Sequence, residues 1–306
     1  MAAFTFKFGG YQSPASILNR AARILGDELN ARLGDEVSFE MDGNITEKGH
    51  NATDLLTLTE SGGLTLCYFS TSYLAARVPE FSLLDLPFVF DDREKAYAVM
   101  DGPLGEHLKE QMLAKTGMRV LGFIDNGFRH ISNRVRPIHT PEDCKGISIR
   151  TLNSELHQKV YALMGFEPQF LDVKDLLEKV RSGGIDAQEN PLTNIYNFGI
   201  HKYHRYITMS GHFFGGAAFL CHNESYLSWP DKVREAVNEA AAEATAAQRG
   251  FAAAEDAEIL EKLDPSQNEL VRLSDGERAS FMTAVAPVIV EQKEKFGTKL
   301  FSFLEH

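Results

Sequence analysis

Two short stretches bring together the residue types that bind a small anion. Thr140-Pro-Glu-Asp-Cys-Lys-Gly-Ile-Ser-Ile-Arg150 delivers one arginine from the end of a short apolar strand. Ser182-Gly-Gly-Ile-Asp-Ala-Gln-Glu-Asn-Pro191 delivers Asn190 at a strand-to-helix turn. A guanidinium is a planar fork of five donors, matched to both oxygens of a carboxylate. Charge-assisted bidentate bonds are about twice as strong as neutral ones. Period-two alternation puts Arg150 on the face of Ser148 and sends Ile147 and Ile149 into the core. A buried arginine without a partner is costly, so the empty site is expected to stay open and wet. On these residues alone, a structural ion pair with a nearby acid is the competing reading of Arg150. Asn190 before Pro191 also suits plain helix capping. Its amide can equally donate to a carboxylate near the positive end of a helix. Arg129 is followed by Arg134 and Arg136, and surface charge accounts for any of the three.

Nothing beside these groups breaks bonds. No G-x-S-x-G nucleophile elbow occurs. Gly9-Gly10 lacks the third glycine and the later acid of a dinucleotide site, so no cofactor is expected. His201, His204 and His212 lack acidic partners placed to complete a metal site and read as surface or capping residues. The paired acids Glu142/Asp143 and Glu255/Asp256 read as solvated helix faces. Cys67, Cys144 and Cys221 are odd in number and far apart. They read as structural thiols.

The 306 residues allow two domains, and the composition is that of an ordinary globular chain. A net charge of -12 without a basic stripe opposes nucleic acid as partner. No apolar run of about 18 residues exists, so no membrane insertion is expected. No leader is visible. Met1-Ala2 reads as a start placed on a mature sequence and Leu304-Glu305-His306 as a tag remnant, with a native signal peptide removed.

The elements that must position Arg150 and Asn190 alternate between strand and helix. Strands are expected at 4–8, 37–41, 63–69, 119–124, 128–133, 147–150, 185–188, 206–209 and 217–222. Helices are expected at 14–33, 50–60, 104–115, 155–164 and 173–181, with another from Pro191 and a helical start at Thr140-Pro141. An alanine-rich helix from Pro230 to about Leu263 would be on the order of 50 Å long, and helices at 274–285 and 288–301 finish the chain. Such alternation argues for α/β architecture with open sheets. Leu55-Leu56-Thr-Leu-Thr-Glu-Ser-Gly-Gly-Leu64 matches Leu176-Leu177-Glu-Lys-Val-Arg-Ser-Gly-Gly-Ile185. In both, an amphipathic helix ends on glycine and feeds a strand. The match favours two similar lobes, with a ligand between them beyond the strands' carboxyl ends.

Arg129 before Ile131-Ser-Asn133, Arg136-Pro137-Ile138, Thr140 to Gly146, Ile149-Arg150 and Asp186-Ala-Gln-Glu-Asn-Pro191 resemble the solute-binding subunits of tripartite ATP-independent periplasmic (TRAP) transporters, the DctP-like family. Leu84-Asp-Leu-Pro-Phe-Val-Phe90 and the long helix from Pro230 fit the same pattern. The resemblance covers nearly the whole chain, with the motifs in the expected order. Ala187 stands where glycine is usual, and Val180-Arg181 where a leucine-glutamine pair is usual. The resemblance implies a two-lobed, periplasmic-binding-protein-like α/β fold, each lobe an open sheet flanked by helices around a ligand cleft. Lobe I is expected at 1–126 and 215–253, and lobe II at 127–214 and 254–306. Hinge strands are expected near 125–129 and 211–216, with the helix at 230–263 crossing both. It further implies a periplasmic, monomeric receptor that is not an enzyme and hands a small organic acid to a TRAP permease driven by an ion gradient. By this resemblance Arg150 pairs with the ligand carboxylate, Arg129 assists, and Asn190 hydrogen-bonds the same group.

Specificity is expected from loops at the cleft: Tyr11, Phe69, Ser70, Thr71, Tyr73 and Asn126 in the first lobe, Asp172, Val173, Phe213 and Phe214 in the second. The aromatics lean the reading toward an aromatic or hydrophobic monocarboxylate. Ser70, Thr71, Asn126 and Asp172 would serve a sugar acid. An enzyme acting on an organic acid and a ligand-sensing signalling module are the alternative readings.

Overall fold

The computed structural model describes residues 2–305. Met1 and His306, which close the stretches read above as a start and a tag remnant, lie outside the described residues. In chain order the elements are β1 (Phe4–Gly9), α1 (Ile17–Leu33), β2 (Val37–Asp42), α2 (Asp54–Glu60), β3 (Leu66–Ser70), α3 (Thr71–Leu74), α4 (Arg93–Asp101), α5 (Pro103–Thr116) and β4 (Met118–Asn133). Then follow β5 (Ser148–Thr151), α6 (Glu155–Leu163), β6 (Glu167–Phe170), α7 (Val173–Ser182), β7 (Ala187–Pro191), α8 (Leu192–Asn197), β8 (Tyr206–His222), α9 (Asn223–Ser228), α10 (Asp231–Lys262), β9 (Glu269–Arg272) and α11 (Asp275–Ser302). The mixed α/β class expected from the alternation is the one observed.

The chain divides into two compact units. The first comprises Met1–Val78, Glu106–Asn126 and Gly216–Ala254. In it β1 lies between β2 and β3, parallel to both, and β3 runs antiparallel to the end of β8, from Leu66↔Cys221 to Ser70↔Ala217. α1 is fixed at its start by Ser16, whose hydroxyl accepts from the Asn19 amide. Its buried stripe is Ile17, Leu18, Ala21, Ala22, Leu25 and Leu29, the spacing of one helical face.

The second unit comprises Pro79–Gly105, Gly127–Gly215 and Glu255–His306. The end of β4 pairs antiparallel with β7, and β7, β5 and β6 follow in parallel. β9 pairs with the start of β8. Ile131, Ile147, Ile149 and Ala187 pack with Val160 and Tyr161 of α6 and Phe281, Val285 and Val288 of α11. A separate cluster joins Leu176 and Val180 of α7, Leu192 and Ile195 of α8, Ile207, and Ile259 of α10.

Four expectations need correction. The strands expected at 119–124 and 128–133 are one strand, β4, and those at 206–209 and 217–222 are one strand, β8. Gly127 and Gly211, both at positive φ, and Gly215-Gly216 lie within these two strands. The helices expected at 274–285 and 288–301 form one run, α11, with Pro287 inside it. Its backbone departs from helical values at Gly297, φ 79°. Residues 79–105 belong with the second unit rather than the first, because Phe88 N–H donates to the His212 carbonyl and the Asp85 carboxylate meets His157 of α6 at 3.1 Å. The long helix, by contrast, runs unbroken from Asp231 to Lys262.

Candidate functional site

Arg150 is placed by β5. Ile147 and Ile149 are core residues, so alternation turns Ser148 and Arg150 to the other face. The Arg150 side chain is 2 % exposed. Its Nε donates to the Leu171 carbonyl at 2.8 Å, just past the end of β6. Its Nη2 is buried and has no hydrogen-bond partner among the described residues. Asp186, the acid just before β7, is committed elsewhere. Asp186 accepts from the Ser148 hydroxyl at 2.7 Å and from Arg134 at 2.7 Å.

Arg129 has the internal partner that Arg150 lacks. It forms a buried ion pair with Glu189: Nε donates to Oε2, and Nη2 donates to Oε1 at 2.8 Å and to the Glu189 carbonyl at 3.1 Å. Arg129, Ile131 and Glu189 share a face by alternation, and Ile131 is paired directly with Glu189. Burial alone would raise the Glu189 carboxyl. The Arg129 charge and hydrogen bonds outweigh that and hold it down at about 2. Burial likewise works against the Arg129 charge, and Glu189 keeps the guanidinium firmly protonated.

Asn190 does not cap α8; that position is taken by Pro191. Its Nδ2 donates to Gln188 Oε1 at 2.5 Å, and its Oδ1 lies 3.5 Å from both Arg129 Nη2 and Asn194 Nδ2. Arg150, Gln188 and Ser132 form one row across β5, β7 and β4. The carboxylate of Asp172 caps α7 by accepting from Lys174 N–H at 3.0 Å, and Val173 opens that helix half-buried. Phe213 stacks on His157 with ring centres 4.3 Å apart and belongs to the core with α6. Phe214 packs edge-on against Phe90, Tyr97 and Phe128.

In the first unit, the loop after β1 and the end of β3 carry an aromatic cluster. Tyr11 packs on Phe69 at 5.0 Å and Phe69 on Tyr73 at 5.0 Å. Thr71 donates to the Gly216 carbonyl at 3.1 Å. Ser70 Oγ and Asn126 Oδ1 are buried without a hydrogen-bond partner among the described residues.

The histidines differ from expectation. His204 and His212 are fully buried, not surface groups. His204 Nδ1 meets Ser132 Oγ at 2.9 Å, and His212 bridges Tyr161 and Ser210 at 2.7 Å each. Of the acids read as solvated, Asp256 instead pairs with Arg93 at 2.5 Å. All three cysteines are buried and free. Among the described residues no cluster of histidine, cysteine and acids is arranged to hold a metal. No helix there is long and apolar enough to cross a membrane. Reading by residue type missed Glu189, Gln188, Ser132 and the Leu171 carbonyl; the signal available was strand register, which sets Gln188 beside Arg150 and Ser132.

A solute-binding protein of Verminephrobacter eiseniae is 30% identical over 232 residues, 76% of this chain and 68% of its own. A TRAP periplasmic solute-binding protein from Sulfurospirillum deleyianum, solved with bound succinate, superposes with a TM-score of 0.93 at 25% identity, over 100% of this chain and 99% of its own. A sugar-acid-binding protein from Advenella mimigardefordensis, in complex with galactonate, gives 0.94 at 25% identity, over 100% and 98%. The model of bacterial extracellular solute-binding protein family 7, DctP, matches residues 8–295. The TRAP resemblance seen in the motifs around Arg150 and Asn190 is thereby established, and this chain belongs to that family of bacterial solute-binding proteins.

Proposed function

We propose that this protein is an extracytoplasmic receptor that captures a small organic acid through its carboxylate at Arg150 and passes it, unaltered, to a TRAP-type permease. The observation that carries the reading is the buried Arg150 guanidinium, held at one nitrogen by the Leu171 carbonyl and, among the described residues, unpartnered at Nη2. A buried donor left unmade costs roughly 1–3 kcal/mol, more when charged. A solute carboxylate removes that cost. Asn190 contributes an amide donor to the same carboxylate. Arg129, already neutralised by Glu189, acts through its position beside Asn190.

Among the described residues, Arg129 and Arg150 are the buried arginines and no lysine is buried, and one of the two is already paired. That supports a monocarboxylate over a dicarboxylate. Taken by itself, the first unit carries an aromatic set, Tyr11, Phe69 and Tyr73, and two buried polar atoms, Ser70 Oγ and Asn126 Oδ1, without a hydrogen-bond partner among the described residues. Related receptors hold either succinate or galactonate.

The test is a thermal-shift panel of lactate, gluconate, phenylacetate and succinate, with recovery of the acid by mass spectrometry. At a free concentration about a hundredfold above the dissociation constant, mass action adds about 2.7 kcal/mol of stability. A monocarboxylate that raises the melting temperature and is recovered intact supports the receptor reading. Conversion of the acid to a new product, or no shift with any acid, contradicts it.

A further inference from the structure

Behind Asn190 runs a chain of buried polar side chains that the reading above does not use. Asn190 Nδ2 lies 2.5 Å from Gln188 Oε1, Gln188 Nε2 lies 2.7 Å from Ser132 Oγ, and Ser132 Oγ lies 2.9 Å from His204 Nδ1. All four residues are buried. Gln188 and Ser132 are direct cross-strand neighbours on β7 and β4. The two amide links each need one donor and one acceptor, so they run in one of two directions, and the Ser132 hydroxyl can either donate to or accept from the His204 ring in the first of them. Either Asn190 donates to Gln188 and Gln188 to Ser132, or both amides are turned over and Ser132 donates to Gln188.

The Asn190 end decides between them. A guanidinium is a donor with no acceptor. Arg129 Nη2 lies 3.5 Å from Asn190 Oδ1. Were the Asn190 amide turned over, its NH2 would face that positive donor. At the far end, burial pushes the His204 imidazole down to about 4, so it is neutral and one ring nitrogen accepts. Ser132 can accept from Gln188 with either ring tautomer of His204.

We propose that Gln188 and Ser132 are positioning residues that lock the Asn190 amide in one orientation, carbonyl toward Arg129 and N–H outward, so that Asn190 can meet a carboxylate only as a donor. The inference rests on Asn190 as a ligand residue. One Nδ2 hydrogen is spent on Gln188, and the second is left for the solute. The buried chain prepays the ordering of that donor, which is how preorganisation raises affinity. It also explains why a row of neutral polar groups lies under a binding face where apolar side chains would pack as well.

A double-mutant cycle on affinity tests this, with the panel acid giving the largest thermal shift as probe. Gln188→Met should weaken the probe about tenfold in the parent, the loss of one well-made hydrogen bond. In an Asn190→Ala background it should cost less than about twofold, since its effect passes through Asn190. An equal loss in both backgrounds makes Gln188 merely structural and overturns the inference while leaving Asn190 as a ligand residue. No loss from Asn190→Ala itself overturns both. Should Gln188→Met fail to fold, Ser132→Ala enters the same cycle.

Discussion

A guanidinium taken out of water must find its hydrogen bonds inside the protein or from a guest. The second unit contains both cases, on β4 and β5, the two strands that flank β7. Arg129 has Glu189; Arg150 has the Leu171 carbonyl and, among the described residues, an unpartnered Nη2. Removing the acid from the first pair leaves an uncompensated buried charge. Glu189→Gln is therefore expected to cost roughly 3–5 kcal/mol of stability, read by urea unfolding; a loss under about 1 kcal/mol would show that the pair does not carry the charge balance. The residue types at 129, 150 and 190 were legible from motif and resemblance. Their partners were not. Sequence cannot say which of two arginines a nearby acid will choose, because Glu189 and Asp186 differ only in which face of β7 and which flanking side chains meet them.

At the scale of elements, the repeated helix–glycine–strand unit is present in both places. α2 is followed by Gly62 at φ 75° and α7 is capped by Gly183 at φ 70°. Both conformations exclude a Cβ at low cost. Gly183→Ala is expected to destabilise by about 1–2 kcal/mol, measured as a lower urea midpoint. An unchanged midpoint would mean the α7-to-β7 turn tolerates another conformation. The elements that sequence mis-sized are those whose signals conflict locally. Gly127 and Gly215-Gly216 look like strand ends, yet β4 and β8 run on through them. Pro287 looks like a helix break, yet α11 continues and its backbone departs at Gly297. Asp92 caps α4 by accepting from Lys95 N–H, a start signal overlooked beside the apolar run before it.

For the molecule as a whole, three of the four histidines buried among the described residues set the response to acid. Burial holds His130 and His212 down to about 3 and His204 to about 4, against 6.5 for a free side chain. The Arg93 charge adds to the effect at His130, while Glu189 opposes it at His212. The folded chain keeps them neutral while the unfolded chain takes up protons. Their stabilisation is complete above about pH 6.5 and is lost as pH falls from there toward 3. Each contributes a slope of up to about 1.4 kcal/mol per pH unit. Glu189 adds a loss of the same sign between its unfolded 4.5 and about 2. Urea midpoints at about pH 7, 6 and 5 should fall in sequence; a flat profile over that range would contradict the burial of these rings.

The central claim is that a solute, not the polypeptide, completes the Arg150 hydrogen bonds. Calorimetric titration of the parent and of Arg150→Ala with the same panel monocarboxylate tests it most directly. The account predicts a loss of roughly 3–5 kcal/mol in binding free energy, with a melting temperature in the absence of acid no lower than the parent's. A variant that binds the acid as tightly as the parent would contradict it.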